Sequence, residues 1–353
     1  MRQGRTSIFL VIAIWLTSLP AVAVVVENLY RADVEVADHS SRALQKASRA
    51  GLAQVLVKIS GSRGVLASAE VKKALADNRR FLQRYQYHQT ESDGLRIQIH
   101  YDSQLIIELL TQAQQPFWTA NRPPVLIWLV VDDAFGRRFA AADTHPELME
   151  SLQIELQRRG VPAVFPLQDL QDAVAVNIHD VWKLDSLAIY RASQRYAVGN
   201  ILVGRLIAMS DGRWMGDWLY LQEGESAAIS FYGKALEPSS VAAIDFIAEQ
   251  MAERYAVAAG TSLGEDVLIR VDNLKDYAAY RAVVEYLEGI ELVDSAYPTY
   301  VEGDSMVFRL RAQAEAEQLH RIIALSRNLR RQKSALPLAG STEIAQLVYR
   351  WNP

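Results

Sequence analysis

Val125-Leu126-Ile127-Trp128-Leu129-Val130-Val131 is an unbroken apolar run, closed by Asp132-Asp133. A strand that faces water on one side alternates apolar with polar residues. A run without alternation predicts a central strand covered on both faces, hence a sheet with helices above and below. Working outward, Thr144 and Glu147 have the spacing of a capping box for a helix with Leu148, Leu152 and Leu156 turned inward. Gly160 ends that helix and Pro162–Phe165 reads as a second strand. A further helix is expected around Ser186–Arg195. Ile201–Met209 and Trp214–Leu221 flank Asp211-Gly212, a pair suited to a type I′ hairpin turn, and Ala228–Tyr232 adds a third hairpin strand. Val241, Ile244, Ala248, Met251 and Tyr255 stripe a closing helix.

Upstream, Tyr30, Ala32, Val34 and Val36 alternate with charged residues as a half-buried strand, and Ser40 or Ser41 can cap the helix that follows. Gly51 inside that helix costs ~1 kcal/mol relative to Ala, which predicts close packing there. A second helix is expected to carry Val71, Leu75, Leu82 and Tyr85, with an extra strand as an alternative near Tyr85–Gln89. Leu95–Tyr101 is a strand, and Ser103 a cap for a helix to about Ala113. Pro116 to Pro124 reads as a linker, because its three prolines oppose regular structure. Downstream, Val267–Val271, a helix striped by Tyr277, Tyr280, Val284 and Leu287, a hairpin about Glu302-Gly303-Asp304, a helix striped by Leu319, Ile322, Ser326 and Leu329, and the alternating Ala345–Trp351 follow a β-α-β-β-α-β order. That order is ferredoxin-like. The fold class is therefore α/β (α+β): three small sheet-plus-helix modules over residues 24–115, 125–260 and 261–353, the last ferredoxin-like.

Residues 1–23 have the layout of an export signal. Arg2 and Arg5 precede the apolar run Ile8–Leu19, and Ala21-Val22-Ala23 offers a small-x-small site for cleavage between Ala23 and Val24. The run is short for a bilayer span of ~20 residues. A cleaved signal peptide implies a periplasmic protein with no membrane span, and an uncleaved one a tether to the inner membrane. The formal net charge is −4, and loss of Arg2 and Arg5 makes it more negative, which argues against nucleic acid as a partner. The chain has no cysteine, which excludes thiol catalysis, thiolate metal sites and a lipid-bearing cysteine.

Several stretches carry more than pattern. They are Pro123–Leu129 with Asp132-Asp133, Arg159-Gly160-Val161-Pro162, Ala192 to Leu206 around Arg195-Tyr196 and Gly199-Asn200, Trp214-x-Gly216-Asp217-Trp218, and Val57-Lys58-Ile59-Ser60-Gly61 near the front. Together they resemble the uncharacterised proteobacterial domain-of-unknown-function family numbered two thousand and sixty-six. The resemblance implies an envelope location and assigns no chemistry.

No residue pattern specifies a reaction. The G-x-S-x-G, S-x-x-K, H-E-x-x-H, P-loop and G-x-G-x-x-G signatures are missing. The six histidines are scattered, so neither a metal nor a cofactor is expected. Five residues stand out as ligand or partner candidates. Asp132 and Asp133 end the buried strand, where open α/β sheets place ligands, and paired carboxylates there suit acid–base work in a hydrolase. Trp214 and Trp218 share a strand face that could stack on sugar rings, with Asp217 to accept hydroxyl bonds. The competing reading is a loop or cap for the aspartates and a core face for the rings. Three other features have structural readings: Ser60–Gly64 as a helix connection rather than an anion nest, Asp169, Asp172, Asp180 and Asp185 as turn acids, and Arg321, Arg327, Arg330, Arg331 and Lys333 as a solvated basic end of the last helix. The expectation is a non-enzymatic accessory or scaffold factor that binds an envelope protein partner, with peptidoglycan as the alternative ligand.

Overall fold

A computed structural model of the chain describes residues 24–89, 94–222, 224–257, 266–312, 314–326, 328–332 and 345–352. The expected leader and its cleavage point lie outside the described residues on the side of Ala23, as do Arg327 and Lys333. The fold is mixed α and β, with separate sheets in the front, middle and rear of the chain.

The first part comprises β1 (Val24–Val25), β2 (Arg31–Glu35), α1 (Ser41–Ser60), α2 (Ala69–Ala76), β3 (Leu82–Gln89), β4 (Leu95–Tyr101) and α3 (Ser103–Gln112). Its sheet runs β2-β4-β3. Ser40 caps α1 through the Ala43 N–H, and Gly61 closes it at φ +76°. Gly51 sits where a Cβ would meet the Tyr101 hydroxyl at 2.5 Å, so close packing does offset its helix cost. The extra strand expected near Tyr85–Gln89 is present as β3, which starts earlier and takes Leu82 as well as Tyr85 off the second helix, because α2 ends at Ala76 and the chain turns extended. Asp102, not Ser103, caps α3, accepting from the Leu105 N–H at 3.1 Å.

The middle part comprises β5 (Asn121–Arg122), β6 (Val125–Asp133), β7 (Gly136–Phe139), α4 (Pro146–Arg159), β8 (Ala163–Val164), α5 (Leu170–Ala175), α6 (Ile178–Trp182), α7 (Ser186–Ser193), β9 (Asn200–Ala208), β10 (Trp214–Gln222), β11 (Glu225–Gly233) and α8 (Glu237–Tyr255). The sheet order is β11-β10-β9-β6-β7, with β8 also on β6. β6 is covered on both sides. Val125, Ile127, Leu129 and Val131 pack with α4 and α8, and Leu126, Trp128 and Val130 pack with Val181 of α6 and Ile189 of α7. Two local expectations fail. Helix α4 starts at Pro146 without a side-chain cap, because the Thr144 hydroxyl is engaged with the Ala141 N–H at 2.9 Å. The β9–β10 turn is not type I′. Only Gly212 of its tip has positive φ, and Met209 bonds both Gly212 and Arg213.

The rear part comprises β12 (Asp266–Asp272), α9 (Tyr277–Glu288), β13 (Val293–Glu302), β14 (Ser305–Ala312), α10 (Ala316–Ile323), β15 (Leu329–Arg331) and β16 (Leu347–Trp351). The order β13-β14-β12-β16 is that of a ferredoxin-like sheet, but β16 runs parallel to β12 where that fold has an antiparallel last strand, because β15 follows α10 first and the chain turns back from this edge strand to place β16 beside β12. Helix α10 ends at Ile323, so Leu329, Arg330 and Arg331 belong to an edge strand and not to a basic helix end.

The stretch from Pro116 to Pro124 is not a free linker. Its prolines sit at the ends, which leaves the N–H groups of residues 117–122 available for pairing. β5 pairs with β1, and Phe117 forms a bridge with Val257. The Trp118 N–H donates to Ile59 at 2.6 Å, the Ala120 N–H to the Glu291 carboxylate at 2.7 Å, and the Asn121 amide to the Ile322 carbonyl at 3.3 Å. Arg122 is wholly buried and makes no ion pair among the described residues. Its Nε donates to Thr119, Nη1 to Arg159 and Gly160, and Nη2 to Lys58 and Trp118, all to backbone carbonyls at 2.8–2.9 Å. The Trp118 ring stacks on the guanidinium at 3.9 Å. The strap therefore ties the front, middle and rear parts at one point.

Candidate functional site

The structure places the five residues singled out from the sequence in bonded or buried positions. Asp132 pairs with Arg137 at 2.8 Å across the β6–β7 hairpin, and Arg137 also stacks on Trp182 at 3.5 Å. Asp133 pairs with Arg138 at 2.8 Å, lies 3.4 Å from the His145 ring, and accepts from the Phe135 N–H at 2.9 Å. Partial burial opposes its ionisation, yet the Phe135 N–H and Arg138 hold its pKa below the usual carboxylate range. Burial and Arg138 push the His145 pKa down. Each carboxylate thus has its own guanidinium.

Trp218 is 0% exposed and lies in the core beneath α8, its indole N–H 3.4 Å from Ser239. Trp214 packs against the same core. A stacking platform needs an open ring face, and Trp218 has none. Gly216 between them is a packing glycine, since a Cβ there would lie 2.6 Å from Leu206 Cδ2 and nearer still to the Arg205 carbonyl. Asp217 points to the other face and is engaged by the Ser230 hydroxyl at 2.6 Å and by Arg205 at 2.8 Å, which hold its pKa low. Among the described residues no group of His, Asp and Glu is arranged to hold a metal ion.

A different feature emerges in the stretch that sequence reading treated only as acidic. Helix α5 has one buried residue, Asp172. Its carboxylate accepts from the Tyr196 hydroxyl at 2.5 Å, Arg195 at 2.9 Å and the Gln168 N–H at 2.9 Å. Asp169 caps the helix and binds Arg195 through both oxygens, which holds its pKa well below the carboxylate range. Asp185 likewise caps α7, and Asp180 completes the capping box of α6 by accepting from the N–H of its cap Asn177. With polar groups anchoring the inner side, the apolar residues of α5 face out. Leu170 and Val174 are 81% and 82% exposed and share a face by their i, i+4 spacing. Leu167 precedes them, also exposed. On α7, which packs on α5, Leu187 and Tyr190 are exposed at i, i+3 spacing. The sequence signal is the apolar spacing of Leu167, Leu170 and Val174.

A sequence-family model described as a domain of unknown function (DUF8605) matches residues 23–119. This corrects the resemblance drawn from the sequence. The matching family is a different one, and of the stretches quoted for the resemblance only Val57–Gly61 falls within the matched residues. No curated protein and no solved structure matches the chain. No helix among the described residues is long and apolar enough to cross a membrane.

Proposed function

We propose that the protein is an exported, non-enzymatic accessory factor that binds an envelope protein partner through the apolar outer face of α5 and α7. One observation carries this reading: α5 turns Leu170 and Val174 to solvent and buries an aspartate. Natural chains seldom expose large apolar side chains in clusters unless something covers them. The export half rests on the leader-like residues 1–23, and N-terminal sequencing of the mature protein should begin at Val24. An intact Met1 would replace the free periplasmic form by a tethered one.

The test is crosslinking in cells followed by capture from the membrane fraction, comparing the wild type with Leu170→Asp/Val174→Asp. The partner captured by the wild type should be lost with the double variant while the melting temperature stays the same. Equal capture by both, or no specific capture by either, removes the assignment.

A further inference from the structure

Sheet edges carry unpaired N–H and C=O groups, and natural proteins blunt them with short strands, charges, prolines or bulges. Most edges here are blunted. β13 contains Pro298 and two register shifts, β3 has a shift between Leu82 and Arg84, and β2 carries Arg31, Asp33 and Glu35. β7 and β15 have four and three residues. β11 is the exception. It runs nine residues, keeps unbroken register with β10, and carries no charge or proline between Glu225 and Lys234. Among the described residues its outer edge has no backbone partner.

We propose that β11 is a self-association edge, along which two copies of this chain pair antiparallel to continue the central sheet. A twofold axis through the sheet keeps each residue on its own face, so the pairing centres on a residue. Centred on Ile229, it sets Phe231 of one copy opposite Ala227 of the other, Tyr232 opposite Ser226, and Ser230 opposite Ala228. The bulky half of the strand meets the small half. Glu225 falls opposite Gly233 of the second copy, so no like charges meet at the ends of the pairing.

The space between β11 and α8 fits the same arrangement. One cleft of about 710 Å³ is lined by Ile229, Val241 and Phe246, and another of about 590 Å³ by Ser226, Ala227 and Glu253. They flank the strand on the face where the second copy's Ile229 and Phe231 would enter. Tyr232, 60% exposed, would gain cover on the opposite face.

Sedimentation equilibrium of the purified protein tests this. A concentration-dependent dimer is expected. Ala228→Lys and Ser226→Lys should each raise its dissociation constant by about tenfold or more, and Tyr232→Glu added to Ser226→Lys, which places opposite charges across the paired strands, should restore it to within about threefold. Because the chain has no cysteine, Ile229→Cys under a mild oxidant should give a covalent dimer. A monomer up to ~100 µM, or a dimer indifferent to Ala228→Lys and Ser226→Lys, overturns the proposal.

Discussion

The strap from Pro116 to Pro124 and the segment from Leu167 to Ala175 invert the usual relation between hydropathy and burial. The strap is proline-rich and polar, yet Trp118, Thr119 and Arg122 are buried. The α5 segment has the apolar spacing of a core helix, yet its leucine and valine face water and its aspartate is inside. What decides burial is whether polar groups find partners. All five N–H groups of Arg122 meet carbonyls, so the cation can be enclosed. Asp172 meets Tyr196, Arg195 and Gln168, so it can hold a helix that contributes no apolar surface to the core. The Arg122 guanidinium has every donor engaged within the chain, whereas Leu170 and Val174 of α5 are turned to solvent.

The contrast breaks most readily at Arg122. Arg122→Ala leaves five carbonyls without donors, and a loss of about 3–5 kcal/mol is expected in urea unfolding, on the scale seen when one partner of a buried charged network is removed. Arg122→Lys should recover little of it, because an ammonium lacks the guanidinium fork. A loss below about 1 kcal/mol would show that the strap does not join the parts. Next in size, Asp172→Asn should cost about 1–3 kcal/mol, concentrated locally, with amide exchange accelerating over residues 170–175. Exchange unchanged there would mean that Asp172 does not anchor α5.

Lys58 gives a smaller effect with a defined sign. Its ammonium is buried beside the strap and donates to the Arg31 carbonyl at 2.8 Å. Burial, followed by repulsion from Arg122, pushes its pKa down from 10.5 to about 7. Between those values the unfolded chain holds a proton that the folded protein lacks, so stability rises with pH above about 7. Below that both forms are protonated and the contribution is flat. Denaturant midpoints across this range should show the rise in the wild type and lose it in Lys58→Met. The smallest effect belongs to the exposed face. Leu170→Asp/Val174→Asp should change stability by no more than about 0.5 kcal/mol, and a larger loss would mean that those residues already pack within the chain.

The difference between the two regions also explains what was legible beforehand. β6, the β9–β10–β11 hairpins, α8 and the ferredoxin-like order were readable, because each has a period or an apolar run set by its own neighbours. The strap was misread since prolines signal breaks locally, whereas Arg122 is satisfied by carbonyls from residues as distant as Lys58 and Arg159. Leu82, Tyr85 and Leu329 were placed on helices because a helical spacing continued past the points where α2 and α10 stop. Trp214 and Trp218 were correctly placed on one face, but which face α8 covers is tertiary information. Asp132 and Asp133 sit at the predicted strand end, and their arginine partners arrive only through the short β7 hairpin.

On the proposed function, the α5/α7 face is covered by another protein. Amide exchange over residues 167–190 of the protein in its native envelope extract, compared with the purified protein, tests this most directly. Slower exchange confined to this segment in the extract, and loss of that slowing in Leu170→Asp/Val174→Asp, is the expected result. Identical exchange in the two settings would contradict it.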